Sequence, residues 1–371
     1  MNMIPLSHFF KFQTKSKIKA GDGLPEARYP FYTSSNSLVK WYDDFLFDGD
    51  SLIFGTGGNP SIHFENRRFS VSTDCLVAKP QTESFNTKYY YYYLKSNMRL
   101  LEKGFQGAGL KHISKKYISD IKLPVVDLDI QNSVVNILDK IDSIITQRQE
   151  SIHLLDDYLR SVFWEMLKTY NSNWDTLKIH EIAKNKKGSM RTGPFGSNLL
   201  HSEFVDSGIA VLGIDNAVNN EFKWKQRRFI TKEKYEQLKR YTVYPNDLII
   251  TIMGTLGRSA IVPENILSAI NTKHLACITL NQNLVDPYFI NYSFQNDPDV
   301  VSQLRGKTRG AIMAGLNITL IKDIKLKIPP KPLQDKFVKI INAVESQKKN
   351  FIKSKNGFDT LFNALSQEYF G

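Results

Sequence analysis

Cysteine is the scarcest informative residue in this chain. Only Cys75 and Cys277 occur in 371 residues, too few for a disulfide framework or for a zinc site built from thiolates. A reducing compartment, the cytoplasm, is therefore expected. No apolar run approaches the roughly 18 residues that span a bilayer, and the 1–13 segment lacks the pattern of a secretory signal, so no membrane association is expected. No Gly-Lys-Ser/Thr string closes a phosphate-binding loop, and the glycine-rich Gly55-Thr56-Gly57-Gly58-Asn59-Pro60 fails the dinucleotide fingerprint. His180-Glu181 opens like a zinc-protease helix, but Lys184 stands where the second histidine belongs. Asp297-Pro298-Asp299 lacks the nearby acidic-x-Lys element of a metal-dependent nuclease, and reads as a turn. Asn59-Pro60-Ser61 lacks the second proline and the aromatic of an amino-methyltransferase motif. These absences leave no expected catalytic residue and no expected metal ligand.

What is present begins with charge. Forty-nine Lys and Arg against 37 Asp and Glu give a formal net charge of +12, which favours a polyanionic partner, nucleic acid first. With 42% hydrophobic residues the chain can bury ordinary cores, and its length favours two domains.

The chain also repeats itself. Asp120-Ile121-Lys122-Leu123-Pro124 with Gln131 recurs as Asp323-Ile324-Lys325-Leu326 with Pro329 and Gln334. Asp50-Ser51-Leu52-Ile53-Phe54-Gly55-Thr56 parallels the 247–255 segment, Cys75-Leu76-Val77 parallels Cys277-Ile278-Thr279, and Gly109-Leu110-Lys111 parallels Gly315-Leu316-Asn317. Two copies of lobe plus helix follow: lobe one over 1–128, a spacer helix over 129–169, lobe two over 170–329 and a C-terminal helix over 330–371. The lobes carry +5 and +7, the helices −3 and +3, so the lobes are expected to meet the polyanion.

The helices show alternating spacings of four and three, the signature of a coiled-coil seam. The first seam is Val134, Leu138, Ile141, Ile145, Arg148, Ile152, Leu155, Leu159, Val162 and Met166; the second is Phe337, Ile341, Val344, Lys348, Phe351, Lys355, Phe358, Phe362, Leu365 and Tyr369. The basic interruptions are expected to snorkel to solvent, with a role in register or contact with a partner subunit as the alternatives. A rod of roughly 54 Å follows from a rise of about 1.5 Å per residue. Antiparallel pairing would set the lobes at opposite ends, an arrangement suited to two separated half-sites on a duplex.

Within the lobes, short apolar strands alternate with Gly, Asn, Ser and Thr clusters, which predicts a mixed α/β fold with exposed loops. Those loops supply the candidate DNA ligands. In lobe one they are Lys15, Lys17, Lys19, Tyr32, Thr33, Ser34, Ser35, Asn36, Thr56, Asn59, Arg67 and Lys111; in lobe two, Arg191, Thr192, Ser197, Arg258, Lys307, Thr308 and Arg309. Glycine lets the backbone approach a phosphate, Arg can read guanine and Asn can read adenine. The same composition also describes ordinary surface turns.

Taken as a set, the landmarks resemble the specificity subunit of Type I restriction-modification enzymes. In lobe two these are Gly193-Pro194-Phe195-Gly196-Ser197, Tyr244-Pro245-Asn246-Asp247-Leu248-Ile249, Gly254-Thr255-Leu256-Gly257-Arg258 and Ile328-Pro329 before the last helix. Lobe one has Tyr29-Pro30-Phe31-Tyr32-Thr33-Ser34-Ser35, Asp48-Gly49-Asp50 and Ile121-Lys122-Leu123-Pro124, but lacks the Gly-Pro-Phe-Gly-Ser string, so the two lobes are expected to read different bases. The resemblance implies two target-recognition domains with paired helical spacers, each domain reading one part of a bipartite site on double-stranded DNA. It implies partners as well: methyltransferase subunits that modify adenines and a motor-nuclease subunit that cuts. Adenosylmethionine, ATP and magnesium would belong to those partners, leaving this chain non-catalytic. The rival readings are an enzyme with diverged motifs and a scaffold in which the coiled coil is the functional part.

Overall fold

The computed structural model describes residues 2–170, 174–225, 227–308 and 316–371. It is a mixed α/β chain of two compact units, one made of 1–152 and 350–371 and the other of 153–349. The sequence division cut the chain where each long helix starts; the contacts cut through both helices instead, giving each lobe a stretch of both.

In the first unit a four-stranded antiparallel sheet runs in the order Phe10–Phe12, Cys75–Pro80, Ser51–Gly55, Ser61–Glu65. A second sheet sets Tyr29–Tyr32 between Trp41–Tyr42 and Ser70–Val71, pairing with the latter in parallel. Both faces of Ser51–Gly55 are covered, which is why it reads as a continuous apolar run rather than an alternating one. Leu52 and Phe54 pack with Ala78, Tyr89, Tyr90 and Leu138 on the helical side. Ile53 packs with Val77, Cys75, Tyr32 and Val71 between the sheets. Met3–Pro5 pairs with Lys122–Pro124 and brings the two ends of the lobe together.

The second unit repeats this plan. Its first sheet runs Met190–Thr192, Leu275–Ile278, Leu248–Thr251, Ser259–Ile261, and its second runs Phe229–Ile230, Ile209–Leu212, Ala269–Asn271, Thr242–Val243. Leu248 and Ile250 face the helical core, while Ile249, Leu275 and Cys277 face the other sheet. Asp175–Lys178 pairs with Lys325–Ile328 as the closing ribbon.

Equivalent backbone hydrogen bonds fix the register of the repeat and correct three landmarks. Cys75 N–H donates to Ser72 O and Thr56 N–H to Asp74 O; in lobe two Leu275 N–H donates to Thr272 O and Ile252 N–H to His274 O. Cys75 therefore corresponds to Leu275, and Cys277 to Val77. The same bonds align Ser51, not Asp50, with Asp247. Ile113 N–H donates to Thr56 O as Leu316 N–H does to Ile252 O, which aligns Leu316 with Ile113 rather than Leu110. Gly315 lies outside the described residues.

The two glutamines hold the correspondence expected of them and have a physical role. Gln131 Oε1 accepts from Asn86 N–H at 2.8 Å and its Nε2 donates to Val126 O at 2.8 Å. Gln334 Oε1 accepts from Asp286 N–H at 2.7 Å and its Nε2 donates to Pro329 O at 2.8 Å. Asn86 and Asp286 are the N-caps of helices Thr87–Ser96 and Pro287–Asn296, so each buried glutamine rivets a long helix to the capped end of its lobe's own helix.

The long helices are Leu128–Tyr170 and Lys331–Phe370. In the first unit Arg148 lies near Ser354, and Tyr92 touches both Asp139 and Phe362, so the segments run antiparallel. In the second unit Lys348 meets Asp156 and Phe337 meets Phe163, again antiparallel. Val134, Leu138, Ile141, Leu159, Phe337, Ile341 and Val344 are buried; Ile145, Ile152, Leu155, Phe351, Phe358 and Phe362 are half-buried. The basic interruptions do more than snorkel. Lys348 Nζ donates to Asp156 Oδ1 at 2.7 Å across the helix pair, and Arg148 lies 5.2 Å from the Phe351 ring centroid with its Nε 3.3 Å from Ser354 Oγ. Lys355 pairs along its own helix with Asp359 at 2.9 Å.

Candidate nucleic-acid interface

In lobe one, five loops converge at one edge. Thr73 N–H donates to Ile18 O and Ser72 N–H to Tyr32 O, tying the 15–19 and 33–36 loops to the 72–75 turn. Asp74 O accepts from Thr56 N–H, from Thr56 Oγ1 at 2.9 Å and from Ser34 Oγ at 2.6 Å. Ile113 N–H donates to Thr56 O and Gly58 N–H to Lys111 O, which adds the 106–113 loop. Gly55 is required by this convergence, because a Cβ there would stand 2.1 Å from Ser61 Oγ and 2.9 Å from Ser34 Cα. Lys15, Lys17, Lys19, Asn36, Asn59 and Lys111 are exposed on these loops, and Thr33, Ser34, Ser35 and Thr56 are half-buried among them.

Two lobe-one candidates belong elsewhere. Tyr32 is a core residue: its ring packs on His63 and Phe69, and its hydroxyl donates to Glu65 Oε2 at 3.1 Å. Burial and the Glu65 carboxylate push its phenol well above the usual range. Arg67 is exposed but committed, its Nε and Nη2 lying 3.0 and 2.9 Å from the two Glu65 oxygens, at the end of Ser61–Glu65 away from the 56–59 loop. Burial alone would raise the Glu65 carboxyl. The guanidinium and amide of Arg67 outweigh it, together with the Asn66 amide, and hold it below the ordinary carboxylate range.

Lobe two builds the same edge. Gly193 N–H donates to Thr272 O, Thr272 N–H to Leu212 O, Ile252 N–H to His274 O and Leu316 N–H to Ile252 O. The 193–198, 213–216, 252–258 and 272–275 loops are thus joined as their lobe-one counterparts are. Gly193 has no room for a side chain, since a Cβ would stand 2.0 Å from Asn271 O. Ser197 and Arg258 are exposed here, and Thr192 is half-buried. The side chains of Lys307 and Thr308 and all of Arg309 lie outside the described residues.

Arg191 is the clearest correction. Its Nη2 pairs with Asp247 Oδ2, its Nε donates to Thr242 O at 2.9 Å, and its Nη1 donates to Thr279 Oγ1 at 3.0 Å and Gly188 O at 3.2 Å. Its guanidinium lies 5.4 Å from the Tyr244 ring centroid. The pair is buried, with side-chain exposures of 7% and 0%, so Arg191 is spent on the fold and offers nothing to DNA. Cys277 Sγ also donates to Asp247 Oδ2 at 3.2 Å, and burial beside that carboxylate pushes its thiol well up, while burial pushes Cys75 up to about 12. Neither cysteine is a reactive thiolate.

The sequence reading missed exposed residues at this edge. Phe195, Met253 and Lys273 are exposed on these loops and Trp224 on the connection that follows Asn216, and His274 is half-buried. Burial lowers the His274 pKa first, and the charges of Lys273 and Arg228 lower it further. The missed signal was the basic and aromatic run Phe222-Lys223-Trp224-Lys225 with Arg227 and Arg228. Among the described residues no group of three or more His, Cys, Asp or Glu is placed to hold a metal ion, and no helix is long and apolar enough to cross a membrane.

Comparison with known proteins agrees with this architecture. Residues 1–154 and 171–356 match the family model described as the Type I restriction modification DNA specificity domain. The chain is similar to the Type I restriction enzyme MjaVIII specificity subunit of Methanocaldococcus jannaschii, 19% identical with 86% of this chain and 78% of that protein covered. It is also similar to the EcoBI specificity subunit of Escherichia coli, 22% identical over 92% and 76% of the two chains. Its fold resembles the crystal structure of the Type-I restriction-modification system S subunit from M. genitalium, with a TM-score of 0.65 at 15% identity, covering 100% of this chain and 96% of that one. With both repeats matched, the chain belongs to the Type I restriction-modification DNA specificity family.

Proposed function

We propose that this chain is the non-catalytic DNA-recognition subunit of a Type I restriction-modification complex, each lobe reading one half of a bipartite site through its loop edge. The observation that carries the reading is the repeated edge: the same backbone bonds bring corresponding loops together in both lobes, and different side chains fill them. A rigid frame with variable loops can present two different sets of donors and acceptors to two groove segments. The net charge of +12 supports a polyanionic partner.

The paired helices would set the distance between half-sites and dock methyltransferase subunits. Exposed apolar side chains on them, including Ile137, Leu154, Tyr158, Trp164, Ile352 and Leu361, fit a protein-facing role. A solved structure of similar fold, 12% identical with a TM-score of 0.56, comes from work on complex assembly and conformational transition of the type I R-M system. Adenosylmethionine, ATP and magnesium would reside on the methyltransferase and motor-nuclease partners in the cytoplasm.

The test is to co-express the chain with a Type I methyltransferase subunit from the same source and map methylated adenines genome-wide, with and without this chain. Methylation confined to a split motif and dependent on the chain is expected. Methylation by the partner at that motif without the chain would contradict the reading.

A further inference from the structure

The strand pairs Tyr29–Tyr32 with Trp41–Tyr42 and Ile209–Leu212 with Phe229–Ile230 are equivalent, but what joins them differs. In lobe one the connection is the 33–40 segment, with Lys40 as its one charged residue. In lobe two it is the 213–228 segment, twice as long, carrying Lys223, Lys225, Arg227 and Arg228 against Asp215 and Glu221. Residue 226 lies outside the described residues.

The base of this longer connection is clamped to the loop edge. Asn216 Oδ1 accepts from Gly213 N–H at 2.8 Å, Asn216 Nδ2 donates to Lys223 O at 2.8 Å, and Arg228 pairs with Asp215. Val211 N–H donates to Arg228 O at 2.8 Å, fixing the return into the sheet. Asn220 accepts from Ser259 N–H at 3.2 Å through its side chain and from Gln295 Nε2 at 3.1 Å through its carbonyl. The far part is open to solvent: Lys223, Trp224, Lys225 and Arg227 are all exposed, with Lys223 Nζ 3.0 Å from Glu221 Oε2 in a pair that is itself open to solvent. Trp224 is braced edge-on by Phe222 at 5.2 Å and lies 5.8 Å from the Arg227 guanidinium. A braced indole left 40% exposed among three cations on a fixed base has the composition of a nucleic-acid contact, in which cations neutralise phosphates and the ring packs on sugar or base.

We propose that Lys223, Trp224, Lys225 and Arg227 form a duplex-DNA contact specific to lobe two, with Lys223, Lys225 and Arg227 on phosphates flanking that lobe's half-site and Trp224 packed into the groove between them. This rests on the DNA-reading role proposed above. Lobe one has no counterpart, so the two half-sites are held by different contacts.

The experiment uses the full chain with its methyltransferase and a duplex carrying the split motif found by methylation mapping. Because the side chains are exposed, the K223A/K225A/R227A variant should fold and melt as wild type does. It should lower the salt-dependence slope of binding by about 2.7, from about 0.9 per phosphate contact. Hydroxyl-radical protection should be lost at one half of the motif and kept at the other. Adding DNA to wild type should change tryptophan fluorescence, and Trp224→Phe should abolish that change. An unchanged slope and footprint in the triple variant, with the fluorescence change kept in Trp224→Phe, would overturn the inference while leaving the DNA-reading role intact. Absence of protection by the wild-type complex would overturn that role and this inference with it.

Discussion

Lobe two opens its central strand with Asp247, where lobe one has Ser51; lobe one puts Glu65 on the neighbouring strand, where lobe two has Val262. Each buried acid has recruited an arginine, but the partners are not equivalent. Arg191 reaches Asp247 from the edge strand, at the position lobe one fills with Gln13, and is itself buried. Arg67 reaches Glu65 from the adjoining turn and is 70% exposed. One backbone plan is therefore compatible with two electrostatic solutions, because the frame is carried by backbone pairing and by apolar side chains on both sheet faces. Charge placement is left free to differ.

That difference can be broken experimentally. Asp247→Ala strands a buried guanidinium and should cost lobe two about 3–5 kcal/mol, read as lost amide-exchange protection of Leu248–Thr251 and Leu275–Ile278, while lobe one stays protected. Glu65→Gln removes charge-assisted bonds to Arg67 and should cost lobe one about 1.5–3 kcal/mol. The Glu65 contribution also depends on pH. Its folded pKa lies below the unfolded value of about 4.3, so its stabilisation is present above that pH and is lost as pH falls through the folded value. Acid titration of lobe-one protection should therefore flatten in Glu65→Gln, and an unchanged profile would contradict the assignment.

The shared features should respond alike. Gln131→Ala leaves an N-cap amide and one carbonyl without their partner and Gln334→Ala an N-cap amide and two carbonyls, the second bonded at only 3.2 Å, and each should cost about 1–2 kcal/mol by chemical denaturation. Unequal losses would show that the rivet is not a repeated device. The smallest effect is expected at Arg148→Leu, where a half-buried cation–π contact is worth about 0.5–1 kcal/mol and the added apolar surface offsets it, so the melting midpoint should barely move.

The repeat, the long helices and their seams were legible because they rest on periodicity and on apolar identity. Gln131 and Gln334 were legible as landmarks, since a side chain that accepts from an N-cap amide and donates to a carbonyl at that reach must be an amide, although their role was not. Registration by cysteine failed because a small buried apolar position accepts Cys, Val or Leu alike, so Cys75 and Cys277 are two residues out of step. At the loop edges, composition alone could not separate Arg191 from Arg258. Both lie in loops punctuated by glycine, and only the acid at 247, distant in sequence, decides that one is consumed by the core. Tyr32 was misread for the same reason, its partner Glu65 lying 33 residues away. Trp224 and its basic neighbours carried a readable signal that glycine-based loop reading passed over.

The loop edges, and not the helices, are the surfaces we propose to meet DNA. The salt dependence of duplex binding by the methyltransferase complex tests this most directly, comparing a variant with Lys15, Lys17, Lys19 and Lys111 changed to Ala against one with the exposed helix residues Lys140, Lys339, Lys349 and Lys353 changed to Ala. The account predicts that the slope falls by up to about 3.6 in the edge variant, from about 0.9 per phosphate contact, and is unchanged in the helix variant. An unchanged slope in the edge variant, or an equal fall in both, would contradict it.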